Sequence, residues 1–186
     1  MLVIAFLGMG KMGRPMAYNL ASAGFRVKCW NRTSEKLESL PSILEAHEDL
    51  QRTIDGADVV ISMLSDGSAT KKVISKLENK VLSSIKTWIE MASVLPQEAI
   101  DQSAFFQKNN ITYLDAPVSG GTVAANNRNL AIMVGGEDDV YKEAIKIFEP
   151  LGKSVLVGPC GAGQLAKLAN QAIVGITIGA VAEAVL

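Results

Sequence analysis

The chain has one histidine, two cysteines and no long run of a single charge. Cys29 and Cys160 stand far apart and in no C-x-x-C or other metal-ligand spacing. That excludes a disulfide framework and a cysteine-built metal site, and reduced thiols of this kind point to the cytoplasm. Lysine and arginine (18) nearly balance aspartate and glutamate (19), for a formal net charge of -1. With no basic stretch, the electrostatic footprint of a nucleic-acid-binding surface is missing, and no nucleic-acid partner is expected. His47 has no acid partner at a plausible strand end and is expected on the surface. The apolar start Met1 to Leu7 lacks the basic flank of a signal peptide and breaks at once into glycines, so it is a first buried strand. No repeat and no low-complexity segment is present.

What is there is a globular composition. Of 186 residues, 48% are hydrophobic and 20% charged, enough apolar mass for one main core. Runs rich in β-branched residues fall at 2–7, 25–30, 42–46, 58–64, 86–91, 111–115, 130–135 and 153–157. Between them lie helical patterns at 11–23, 34–40, 48–55, 67–78, 96–109 and 138–149. Strands alternating with helices predict βαβ units and a parallel sheet. From Gly161 a single apolar helix runs to Leu186, which marks a candidate boundary. Lys167, Asn170, Gln171 and Glu183 interrupt it, leaving fewer than the ~20 apolar residues a membrane span needs, so a helix buried between domains or subunits is expected.

The first chemical motif is Gly8-Met9-Gly10-Lys11-Met12-Gly13, directly after the first strand and opening a helix. In that context the glycines allow a tight turn, close approach of a pyrophosphate, and packing of helix on strand, while helix N–H groups face the anion. Dinucleotide binding is the expectation. An acid at the end of the second strand would grip the ribose 2′-hydroxyl of NAD, but this chain has Asn31-Arg32-Thr33. A neutral Asn31 removes repulsion from a 2′-phosphate and Arg32 can pair with it, which favours NADP over NAD. A solvated turn arginine beside a capping asparagine is the alternative.

Two further stretches offer chemistry. Asp115-Ala116-Pro117-Val118-Ser119-Gly120-Gly121 follows a strand, and the backbone N–H groups of Ser119, Gly120 and Gly121 could form a nest for a carboxylate, or an ordinary loop. On the last helix Lys167 neighbours Asn170 and Gln171 at i+3 and i+4, so an ammonium and amides share a face. A desolvated lysine can donate a proton to a developing alkoxide; the alternative is a lysine snorkelling at the end of a core helix. Other chemistries are excluded by absence. Tyr18, Tyr113 and Tyr141 are followed four residues later by Ser22, Pro117 and Ile145, so no Tyr–Lys pair exists. Gly152-Lys153-Ser154 looks like the end of a P-loop, yet the required earlier glycine is Ile147.

Four ordered motifs, FLGMGKMGRPMAYNLASAG with NRT following, IEMASVLP, DAPVSGG and GAGQLAKLANQ, resemble the β-hydroxyacid dehydrogenase family. That family includes 3-hydroxyisobutyrate dehydrogenase, tartronate semialdehyde reductase, glyoxylate/succinic semialdehyde reductases and, more distantly, 6-phosphogluconate dehydrogenase. The resemblance implies a Rossmann-type, doubly wound, mostly parallel α/β domain over 1–160. It implies, over 161–186, the start of an interdomain helix whose all-α domain lies beyond this chain. By resemblance Met63 and Leu64 line the cofactor site and Ser93 lies near the nicotinamide. Ser119, Gly120 and Gly121 hold a substrate carboxylate, Lys167 is the acid/base, and Asn170 or Gln171 binds substrate. The implied activity is NADP-dependent interconversion of a small carboxylate-bearing aldehyde and its hydroxy acid, in a homo-oligomer formed through the last helix. Glu90-Met91-Ala92-Ser93 departs from the family's Asp-x-Ser-Thr by one hydroxyl. The alternatives are a dinucleotide-binding or interaction module without turnover, and an imine reductase, although imine reductases replace the lysine that is present here.

Overall fold

A computed structural model describes all 186 residues. Nine strands and nine helices follow one another. They are β1 (Val3–Leu7), α1 (Gly13–Ser22), β2 (Arg26–Trp30), α2 (Glu35–Glu38), β3 (Glu45–Ala46), α3 (Leu50–Ile54), β4 (Val59–Ser62), α4 (Gly67–Ile74) and α5 (Asn79–Leu82). The second half holds β5 (Thr87–Glu90), α6 (Pro96–Lys108), β6 (Thr112–Asp115), β7 (Val118–Ser119), α7 (Gly121–Asn126), β8 (Leu130–Gly135), α8 (Asp138–Phe148), β9 (Gly152–Gly158) and α9 (Ala162–Ala184).

All nine strands form one sheet in the order β3-β2-β1-β4-β5-β6-β8-β7, with β9 paired to β8. The first six are parallel, β6 and β7 run antiparallel to β8, and β9 is parallel to β8. The sequence dictates this through strands with no polar side. In β1, Ile4, Ala5, Phe6 and Leu7 are all fully buried, so both faces of the sheet must be covered by helices. One core holds Ile4, Phe6, Ile61, Ile89 and Leu114 with Met16 and Leu20 of α1 and Phe148 of α8. The other holds Ala5, Leu7, Val60, Trp88 and Tyr113 with Ile54 of α3 and Phe106 of α6. There Phe106 stacks between Trp88 and Tyr113, with ring centroids 4.6 and 5.9 Å apart. Two cores on opposite faces make the sheet doubly wound, as expected. Its strand order reverses beside β1, where open α/β sheets leave a crevice at the carboxyl edge.

Three elements went unpredicted: α5, β7 and α7. The first and last are four and six residues long, too short for a helical period to show. The two residues of β7 are strand only because Val118 and Ser119 pair with Ile132 and Ala131 across the sheet. His47, expected on the surface, is half-buried, with Nε2 3.9 Å from Glu45.

Helix α9 starts at Gly161, whose φ of +90° suits a residue without Cβ, and Gly163, Gln164 and Lys167 are buried against the domain. From Gln171 onward every residue of it is exposed, Ile173, Ile176, Ile178 and Val181 among them. Its 23 residues include an 18-residue window of mean hydropathy 1.5, so by length and composition alone this helix could cross a membrane.

Candidate functional site

The loops that follow β1, β2, β4, β5 and β6 all open on the carboxyl edge of the sheet. At the reversal between β1 and its neighbours lies a cleft of about 330 Å3, lined among others by Gly10, Asn31, Arg32, Lys36 and Leu64. Gly8, Lys11, Met12, Gly13, Thr33 and Met63 also line it, so one cleft gathers nearly every residue expected to hold a dinucleotide.

The three glycines of the loop do separate jobs. Gly8 has φ +107°, and a Cβ there would collide with the Met63 carbonyl oxygen. A Cβ on Gly13 would collide with the Gly8 carbonyl, which fixes how closely α1 packs on the turn. At Gly10 a Cβ would meet nothing within 4 Å. Only this glycine faces open space, which is where a pyrophosphate needs bare backbone. Met9 is different: its side chain is 2% exposed and packs in the core, so it does not line the cleft. Its N–H donates to Asn31 Oδ1 at 3.0 Å, tying the glycine loop to the turn after β2.

Arg32 and Thr33 are exposed at the rim, and Lys36 joins them there from α2. Sequence reasoning missed Lys36. The Arg14 Nη2 donates to the Lys36 carbonyl and the Ser39 hydroxyl at 3.0 and 2.8 Å, which pins α2 beside α1 and sets the lysine's position.

A second group assembles around the start of α9. Asp115, at the end of β6, is fully buried and its two carboxylate oxygens accept the N–H groups of Gly161 and Gln164 at 2.7 and 2.8 Å. Burial raises its pKa, opposed by these two donors at the helix N-terminus. Further along, Asn170 Nδ2 donates to Ser119 Oγ at 3.1 Å. The helix advances about 9 Å from Gln164 to Asn170 while the chain from Asp115 to Ser119 spans about 13 Å, and bonded at both ends α9 runs alongside the β6–β7 segment. Lys167 sits between them. It is 9% exposed, its Nζ donates to Gln171 Oε1 at 3.0 Å, and no carboxylate pairs with it. Desolvation lowers its pKa from the usual 10.5.

Ser93 is exposed in the loop after β5, between two buried neighbours. Gln164, 1% exposed, holds that loop at both ends: Nε2 donates to the Ala92 carbonyl at 2.9 Å and Oε1 accepts the Val94 N–H at 3.0 Å. Ser93 is thereby fixed one helical turn before Lys167. Gly120 and Gly121, with φ +122° and +65°, open α7 beside Ser119 and are exposed. The structure therefore brings Ser93, Ser119, Lys167 and Asn170 to one end of the carboxyl edge, with the glycine cleft at the other. Gln164 and Asp115 had no assigned role at the sequence level. A glutamine among alanines and leucines, next to a buried helix start, was the only signal of the first.

Comparisons with known proteins agree with this geometry. A family described as the NAD binding domain of 6-phosphogluconate dehydrogenase matches residues 3–160. The chain is 37% identical to 2-hydroxy-3-oxopropionate reductase of Escherichia coli over 98% of its own length and 64% of that protein's. It is 33% identical to the NAD-dependent L-serine dehydrogenase of Pseudomonas aeruginosa, over 97% of this chain and 62% of that one. Among solved structures, Mycobacterium tuberculosis 3-hydroxyisobutyrate dehydrogenase with L-serine superposes with a TM-score of 0.91 at 31% identity, covering 99% of this chain and 64% of that one. The chain thus spans a little under two thirds of the length of these relatives.

Proposed function

The chain belongs to the family of the NAD binding domain of 6-phosphogluconate dehydrogenase, and from that premise we propose that it serves an NADP-dependent reductase of a small carboxylate-bearing aldehyde, or the reverse oxidation of its hydroxy acid. The observation that carries the chemistry is Lys167, a buried ammonium with lowered pKa and no carboxylate partner, set between the Ser93 loop and Ser119.

The cleft suits a dinucleotide because it offers bare backbone at Gly10 and cations at Arg32 and Lys36. When bound, the cofactor supplies or accepts a hydride at the nicotinamide ring. The protein's own residues do the rest. Gly10 and the start of α1 receive the pyrophosphate, and Arg32, Thr33 and Lys36 receive a ribose 2′-phosphate. Ser119, Gly120 and Gly121 receive the substrate carboxylate, with Asn170 fixing the Ser119 hydroxyl through their hydrogen bond. Lys167 gives a proton to the carbonyl oxygen as it gains negative charge, and takes one back in oxidation. Its amine has a lowered proton affinity, which suits both directions. Gln171 holds the ammonium in place.

The exposed apolar stripe of α9 calls for cover, and a second copy of the protein is the reading we favour over a bilayer, because the same helix buries Gln164 and Lys167 in the domain. The test of the activity is NADPH oxidation with 2-hydroxy-3-oxopropionate, succinic semialdehyde, glyoxylate and methylmalonate semialdehyde. Turnover of one of them that falls by about 10²–10⁴ in Lys167→Ala is expected, and turnover unchanged in that variant overturns the proposal.

A further inference from the structure

Ala92 is held at both of its backbone groups by buried side chains. Its carbonyl accepts from Gln164, and its N–H donates to Glu90 Oε1 at 3.0 Å. Glu90 ends β5 with no exposed surface, and its other oxygen, Oε2, is buried without a hydrogen-bond partner. A carboxyl group is a costly way to fill a core position, since an amide of the same shape would accept the same N–H without an ionisable charge.

We propose that Glu90 is a positioning residue whose protonation state sets how the Ala92–Val94 loop presents Ser93 and, through Gln164, how α9 presents Lys167. The proposal rests on the reading of Ser93 and Lys167 given above.

Several groups face this carboxyl from the elements packed around it. Ser62 of β4 and Thr70 of α4 offer hydroxyls beside it. Glu98 of α6 opposes its charge, Asp115 stands in register on β6, and Tyr113 of β6 feels its field. Burial is the largest influence and pushes its pKa up to about 7, so both forms are populated near neutral pH. When ionised, Glu90 accepts the Ala92 N–H in a charge-assisted bond, while the two hydroxyls within its reach are turned away from Oε2, Ser62 Oγ donating to the Ile89 carbonyl and Thr70 Oγ1 to the Asp66 carbonyl. When protonated, that bond weakens to the neutral kind, and the new O–H turns to a hydroxyl acceptor at Ser62 or Thr70. Each state therefore holds Ala92 differently. Because Gln164 grips the same loop, the difference reaches the start of the lysine helix.

The test follows the backbone amides of the full chain, without cofactor, from about pH 5 to about pH 9, on either side of the ordinary range of a buried carboxyl. The amides of Ala92, Ser93 and Val94 should move together with one midpoint near 7, sharing it with the Glu90 side-chain carboxyl carbon. Glu90→Gln should lose that titration while keeping the native spectrum, and Lys167→Ala should retain it. Flat amides in the wild type, or a titration that persists in Glu90→Gln, overturns the proposal. Should the variant fail to fold, the carboxyl carbon of the wild type still decides, because midpoints that differ between it and the Ala92 amide overturn the link. NADPH affinity, titrated in parallel, should change several-fold more between low and high pH in the wild type than in Glu90→Gln. Identical pH dependence in the two would overturn the link to the cofactor site. No NADPH binding at any pH would overturn the functional reading, while the amides still decide the role of Glu90 in the loop.

Discussion

Asn31 Oδ1 accepts the Met9 N–H at 3.0 Å while its Nδ2 donates to the Thr33 carbonyl at 2.9 Å, so one amide spans the glycine loop and the turn that carries Arg32. The asparagine therefore does more than avoid repelling a 2′-phosphate. It fixes the two loops that would meet on the dinucleotide.

Arg32→Ala should shift preference from NADPH towards NADH by about 1.5–3 kcal/mol, the usual worth of a hydrogen bond to a charged group. Asn31→Asp keeps an acceptor for Met9 but loses the donor to Thr33 and adds a negative charge, so NADPH binding should weaken more than NADH binding. Titration of both cofactors at one ionic strength checks this, and equal affinities in the wild type would remove the assignment.

The glycines should separate folding from binding. Gly10→Ala places its methyl in open space and should leave the melting temperature near that of the wild type while cofactor affinity collapses. Gly13→Ala drives a methyl into the Gly8 carbonyl and should destabilise the fold itself, by about 1–3 kcal/mol of overpacking. Thermal unfolding and cofactor titration of the two variants, side by side, give the answer.

Lys167→Ala should keep NADPH affinity and lose turnover by roughly 10²–10⁴, since the side chain acts in the chemical step and does not line the glycine cleft. In the wild type, carbonyl reduction needs the ammonium. Its rate should fall as pH rises through a value below 10.5, and oxidation should gain over the same range. Near-normal turnover in the variant would mean that another group supplies the proton.

Glu90 also makes a stability prediction. Its pKa is about 7 in the fold and 4.5 in the unfolded reference, so the folded state holds the proton more tightly. The stability this gives is fully present below about 4.5 and is lost as pH rises through about 7. Glu90→Gln keeps the shape without the charge. Its advantage over the wild type should be absent at acid pH and reach the order of 3 kcal/mol above neutrality, by the standard conversion from pKa to energy. Denaturant midpoints at several pH values measure it, and a constant difference would exclude this account.

The stripe of α9 should drive association. Ile173 and Ile176 are 66% and 74% exposed on a helix that has left the domain. Changing both to lysine should lower the light-scattering mass of the chain and leave NADPH affinity alone. A wild-type chain that stays monomeric at high concentration would contradict the expectation.

The sequence by itself determined the local parts. Unbroken apolar runs such as Ile4 to Leu7 could only be strands buried on both faces, and Gly8-Met9-Gly10-Lys11-Met12-Gly13 could be placed on a strand–turn–helix because each glycine acts within a few residues of itself. Even Lys167 and its neighbours were legible, since helical spacing alone puts Asn170 and Gln171 near it. What only the tertiary structure decided is everything made by residues distant in the chain. Met9 was read as part of the binding loop, yet the fold sends its side chain into the core. Asp115 and Gln164 look like ordinary members of their motifs until α9 packs against β6 and sets its start on a buried carboxylate. Glu90 looked like a weaker version of a family motif until burial raised its pKa. Desolvation and hydrogen bonds across 46 to 72 residues leave no periodicity to read, because they depend on which surfaces close over a group and not on its neighbours in sequence.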